Sequence, residues 1–146
     1  MTYSYDQALT LAMKYHKGQV DKEGNAYIKH LIRVSYLLKQ HPNVDETLIS
    51  VALLHDIIED TSMTIKELSE IIQDETIVKT VDILTRKETE TYKEYIQRVK
   101  QDELATIVKI ADLRDHLERK SSIELPASLI KRYEKALIEL KFGDEF

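Results

Sequence analysis

Apolar residues recur at helical spacing along almost the whole chain, and no alternating run is bounded by hairpin turns. That pattern restricts the chain to helices packed on helices. Three glycines and two prolines in 146 residues offer few interruptions, and nearly all of them fall between periodic segments. A first helix is expected over about Ser4 to Lys17, stopped by Gly18 in a left-handed cap. The loop QVDKEGNA leads to a second, about Tyr27 to Gln40, closed off by Pro42. Asp45 can cap a third over about Glu46 to Asp60. Thr64 with Glu67 makes a capping box for a short fourth, and Thr91 with Glu94 makes one for a sixth. Asp74 can start a fifth running to about Leu84, and Asp102 a seventh running to about Arg119. Pro126 fits the first turn of a last helix that runs to Gly143. The expectation is one all-α domain over residues 1–146, a bundle of about eight helices.

The third helix contains VALLHDIIEDT, residues 51–61, with one imidazole and three carboxylates in what is otherwise a core run. Each such group loses hydration on burial unless something compensates it. At 100° per residue, His55, Asp56, Glu59 and Asp60 fall within about 140° of arc, opposite Leu53, Leu54, Ile57 and Ile58. The plain alternative is a solvated polar face. Against it, three clustered acids repel one another, and acids near a helix C-terminus oppose its dipole. No Lys or Arg stands at helical spacing within the stretch to offset them. A divalent cation would resolve the conflict.

His55 and Asp56 offer one nitrogen and one oxygen, too few to hold a metal. His30 lies in YIKHLIRVSYLL among Ile28, Leu31, Val34, Leu37 and Leu38, where a lone histidine is more often a satisfied core residue. Asp112 lies in IVKIADLRDHL among Val108, Ile110, Ala111 and Leu113, and can pair with Lys109 or His116 on its own helix. Taken together, His, His-Asp and Asp on three separate helices supply two nitrogens and two oxygens. That set suits a divalent transition metal such as manganese, with positions left for water and substrate. The absence of cysteine excludes disulfides, zinc-thiolate sites and thiol catalysis. A net charge of -5 argues against broad nucleic-acid binding but permits a small anion in a locally positive site. No apolar run approaches the roughly 18 to 20 residues of a membrane span, and the start lacks a signal peptide's pattern. A cytoplasmic protein with no membrane partner is expected; the oligomeric state is open.

The order His, His-Asp, Asp resembles the HD phosphohydrolase superfamily, and three segments resemble the RelA/SpoT-type alarmone hydrolases. HKGQVDKEGNAYIKHLIRVSYLL is similar to that family's H-x-G-Q-x-R-K-x-G-x-P-Y-I-x-H-P segment, ALLHDIIEDT to its A-L-L-H-D-x-x-E-D-T, and VKIADLRDHL to its V-K-L-A-D segment. The likeness covers about Ala8 to Leu117, and LTRKETETYKEYIQRV between them is similar to small stand-alone HD hydrolases. The resemblance implies an HD-type bundle with His30, His55, Asp56 and Asp112 as metal ligands. It puts Glu59 and Asp60 at the hydrolytic acid pair and Lys22 near the substrate phosphates. It further implies a manganese-dependent enzyme that removes the 3'-pyrophosphate from guanosine tetra- or pentaphosphate. The chain departs from the pattern at Asp21, where the family has an arginine against the base, and at His116, where it has asparagine. Ala26 and Leu31 replace its prolines. An acid cannot stack on a purine as a guanidinium does. These departures open a second reading, an HD hydrolase for another phosphorylated nucleotide. A third is a non-catalytic module that binds a nucleotide or a protein partner.

The remaining candidates have two readings each. Arg86, Lys87 and Arg98 with Tyr92 and Tyr95 form either a basic, aromatic rim for a nucleotide or a set of exposed ion pairs. Lys109 reaches a phosphate or pairs with Asp112. His16 approaches the site or caps a helix end, and His41 is expected in a surface turn. Tyr133, Leu137 and Leu140 are expected to be packing residues.

Overall fold

A computed structural model describes residues 5–21, 24–119 and 125–142. Its helices are α1 (Tyr5–Tyr15), α2 (Ile28–Leu38), α3 (Glu46–Leu54), α4 (Ile57–Asp60), α5 (Ile65–Ile72), α6 (Glu75–Leu84), α7 (Tyr92–Lys100), α8 (Glu103–Glu118) and α9 (Ala127–Phe142). The expected all-α bundle is what the chain forms. Among the described residues the only extended pairing is a single bridge between Val20 and Ala26.

Local capping sets most boundaries. The side chains of Asp45, Asp74 and Asp102 accept from the amides of Leu48, Ile77 and Ala105. Thr64 with Glu67 and Thr91 with Glu94 form complete capping boxes. Gly18 takes a φ of +85° just beyond α1, the left-handed geometry expected of it. Ser4 and Gly143, expected helix limits, lie outside the described residues.

α3 is the centre of the bundle and packs on α1, α2, α6 and α8. It is apolar all round: Leu48, Val51, Ala52, Leu53 and Leu54 are completely buried. Each large aliphatic side chain there contributes about 1.5–3 kcal/mol through burial. These four neighbouring helices therefore position whatever leaves α3 at its C-terminal end.

What leaves it differs from expectation. The single helix over Glu46 to Asp60 is two helices with a break at His55–Asp56. Asp56 has φ -102° and ψ 1°, between the helical and extended regions, and α4 restarts with Asp60 N donating to Asp56 O at 2.9 Å. The 100° rotation per residue does not hold across this break. The helical-wheel arc of four ionisable groups is therefore replaced by a turn that brings His55 and Asp56 to the same centre.

Candidate metal centre and phosphate pocket

α2, the α3–α4 turn and α8 bring His30, His55, Asp56 and Asp112 together. Each offers one ligand atom, and these atoms all lie within 4.8 Å of one another. His30, His55 and Asp112 are buried, and Asp56 is nearly so. His55 Nδ1 donates to the Ala52 carbonyl at 2.6 Å, which leaves Nε2 as the inward-facing nitrogen. That atom is buried without a hydrogen-bond partner, 3.2 Å from Asp56 Oδ2 and 3.3 Å from Asp112 Oδ1. A buried, unpartnered imidazole nitrogen facing two carboxylates fits a divalent cation.

Residues behind the cluster fix its orientation. His30 Nδ1 donates to Asp115 Oδ2 at 2.7 Å, and Asp115 is held in turn by Arg33 Nε at 2.8 Å and Nη2 at 3.1 Å. This turns His30 Nε2 toward Asp112 Oδ1, 2.8 Å away. Such a carboxylate behind a ligating imidazole sets its tautomer and raises its basicity. Tyr27 Oη donates to Asp56 Oδ2 at 2.5 Å. Lys109 Nζ lies 2.9 Å from Asp112 Oδ2, and His116 Nε2 lies 3.4 Å from Asp112 Oδ1. Both partners open to Asp112 on its own helix are thus engaged together.

Charge divides the pocket. Burial alone would raise Asp56 and Asp112, but His55 beside Asp56, and Lys109 and His55 beside Asp112, hold both well below the usual carboxylate range. Burial disfavours the His30 cation, yet hydrogen bonds to Asp112 and Asp115 push its pKa up to about 9. His55 is likewise raised against its burial by Asp56 and Asp112. A metal entering this site competes with protons, so binding releases them.

Glu59 and Asp60 stand one turn further on, at the mouth. Desolvation raises Glu59, helped by Asp56 and opposed by the Arg86 amide, which donates to Glu59 Oε1 at 2.5 Å. Desolvation and Asp56 raise Asp60, opposed by His16, His55 and Gln19. Buried His16, bound through Nδ1 to Gln19 Oε1 at 2.8 Å, thus approaches the site through Asp60.

A cavity of about 300 Å³ joins these groups. Asp56, Glu59, Asp60, Arg86, Lys109, Asp112 and His116 all line it. Asp21 lines an adjoining cavity of about 180 Å³ with Arg33, Leu125 and Leu129, and Tyr27, His116 and Tyr133 border both. Lys22 lies outside the described residues. The expected basic rim divides in two. Arg86 faces the cavity, whereas Arg98 is tied to Glu90 and to the Ile83 and Thr85 carbonyls, and Lys87 to Asp82. His41 accepts from the Asn43 amide in the turn after α2.

Tyr133 packs as expected and does more. Besides packing on the core it stacks on His116 with ring centroids 5.3 Å apart, and His116 stacks on His30 at 4.6 Å. Sequence reasoning also missed Asp115, Arg33, Tyr27 and Arg132. Asp115 had a detectable signal: it follows Asp112 by three positions, on the same face of α8.

An all-helical bundle enclosing a His, His-Asp and Asp centre defines a class of metal-binding domain. The family model of the HD domain matches residues 8–119, and the chain belongs to that family. It is 30% identical over 117 residues to a GTP pyrophosphokinase rsh of Brucella melitensis, covering 73% of this chain and 16% of that protein. It is 29% identical over 127 residues to the bifunctional (p)ppGpp synthase/hydrolase SpoT of Escherichia coli, covering 80% of this chain and 18% of that protein. The chain thus corresponds to less than a fifth of the length of these relatives. A solved structure of a metazoan ortholog of SpoT, a protein that hydrolyzes ppGpp, superposes with a TM-score of 0.81 at 21% identity, covering 96% of this chain and 88% of that one. The fold is therefore shared with that hydrolase. No helix among the described residues is long and apolar enough to cross a membrane.

Proposed function

We propose that the chain is a single catalytic unit, a cytoplasmic pyrophosphohydrolase that removes the 3'-pyrophosphate from a guanosine alarmone with manganese as its metal. The observation that carries the reading is the unpartnered His55 Nε2 among His30, Asp56 and Asp112, with two carboxylates at the mouth of the same cavity. His30, His55, Asp56 and Asp112 would hold the metal. When bound, it supplies Lewis-acid polarisation of a phosphoryl oxygen and acidification of a water.

The protein's own groups do the rest. Glu59 accepts the proton of the attacking water, and its raised pKa suits a base that must return that proton. Asp60 orients the water, steadied by Gln19 and His16. Asp115 and Arg33 keep His30 Nε2 aimed inward. Lys109 balances Asp112, and Arg86 meets the phosphates at the rim. With manganese present, purified protein is expected to release pyrophosphate from guanosine 3',5'-bis(diphosphate). No release, with metal bound, would sink the reading.

One observation favours a neighbouring substrate. His116 is stacked between His30 and Tyr133 and leans on Asp112, and Asp21 lines the side cavity. A base entering that cavity meets an acid and an imidazole–phenol stack. A panel of phosphorylated nucleotides that yields turnover only with a base other than guanine would select this second reading.

A further inference from the structure

The cavity at the metal centre continues past its rim. Tyr92 and Arg132 line it, and the same two residues line a groove of about 630 Å³ between α7 and α9. Lys93, Arg132 and Lys135 border that groove, are exposed, and form no ion pair with another described residue. The acid that lines it, Glu139, is held by Lys100 at 3.3 Å and by the Gln97 amide. A positive groove on a chain with a net charge of -5 runs against the overall composition.

The junction is built from aromatic and guanidinium groups. Arg132 lies over the Tyr92 ring at 4.8 Å from its centroid, and Arg86 lies over the same ring at 5.6 Å. The Tyr92 hydroxyl is buried with no hydrogen-bond partner among the described residues, and burial keeps it protonated. A buried donor without an acceptor, between two cavities and beside two guanidinium groups, points to an anionic oxygen as its partner.

We propose that the α7–α9 groove is a second anion subsite, which takes the phosphate chain of the nucleotide that is not cleaved. Arg132 and the Tyr92 hydroxyl receive it at the junction, and Lys135 and Lys93 line its path. The inference rests on the phosphohydrolase reading of the metal pocket. A nucleotide phosphorylated at two positions needs counter-charge for both arms. Inside the pocket Lys109 is committed to Asp112, and at the adjoining corner Arg98 is committed to Glu90. Arg86 serves one arm at the rim, and among the described residues the groove supplies Arg132, Lys135 and Lys93 for the other.

The test compares two guanosine 3'-diphosphates, one with a 5'-diphosphate and one with a free 5'-hydroxyl. Wild type is expected to prefer the two-armed substrate. In Arg132→Gln with Lys135→Gln, the ratio of kcat/KM between the two substrates should fall at least ten-fold, about 1.4 kcal/mol. A ratio within two-fold of wild type overturns the subsite. A binding arm separates this inference from the activity: calorimetry with guanosine 5'-triphosphate in EDTA. Wild type should bind, and the double variant should bind at least ten-fold more weakly. Equal affinity, or no binding by wild type, overturns the groove. Weakened binding by the variant with no hydrolysis of either substrate supports the groove while rejecting the proposed reaction.

Discussion

The carboxylates of the pocket form two sets on either side of the α3–α4 turn. Asp56, Asp112 and Asp115 lie inside, each in contact with an imidazole, ammonium or guanidinium group, and all three are held below the usual range. Glu59 and Asp60 lie at the mouth, have no side-chain cation in direct contact among the described residues, and are raised. Residues only a few positions apart in sequence are thus driven in opposite directions. Permanently ionised acids suit metal ligation and its support; acids that can pick up a proton suit the handling of water. Opposed shifts within one pocket are how the two tasks can be told apart.

Removing an inner carboxylate should do the most. Asp56→Ala and Asp112→Ala are expected to lose both bound metal and all turnover above background, with metal counted by elemental analysis. A variant that stayed active and loaded would erase the distinction between the sets. At the mouth, Glu59→Gln should keep its metal while kcat falls roughly 10²- to 10⁴-fold, the range for losing a general base. Loss of metal by that variant would place Glu59 with the inner set.

A smaller effect sharpens the inner set further. Asp115 touches His30 rather than the cation, so Asp115→Asn should weaken metal binding by about 10- to 100-fold, read by competition with a chelator. Unchanged affinity would leave Asp115 as packing. The smallest effect belongs to a carboxylate outside the pocket. Arg98 holds Glu90 down to about 2, below its ordinary 4.5. Because the folded value is the lower one, this stabilisation is present above pH 4.5 and is lost as pH falls toward 2. Near neutrality Glu90→Gln should cost under about 1 kcal/mol. Thermal midpoints of variant and wild type should converge across that window.

Helix limits were legible wherever a neighbouring side chain sets them. Asp45, Thr64, Asp74, Thr91 and Asp102 satisfy amides within three residues, so sequence spacing contains the whole interaction. The four clustered residues were legible because isolated polar groups on apolar faces are costly without a shared purpose. The break at His55–Asp56 was not, since no glycine or proline marks it. It depends on contacts from elsewhere, Tyr27 on Asp56 and the Arg86 amide on Glu59. Tyr133 was read as packing because it does pack; the stack on His116 exists only once α8 and α9 meet. Asp21 was legible as a departure, but its place in a separate side cavity depends on the turn closed by Val20 and Ala26.

The break after α3 also divides the pocket mechanically. α3 is enclosed by four other helices, so its amides should exchange with solvent only when the whole domain unfolds. α4 is one turn of four residues, too short to persist alone, held by the Tyr27 and Arg86 bonds and by Thr61 Oγ1 on the Ile57 carbonyl. Its amides should exchange through local opening. His55 therefore sits at the end of the slowest-exchanging part of the chain, while Glu59 and Asp60 ride on a segment that can loosen without disturbing it.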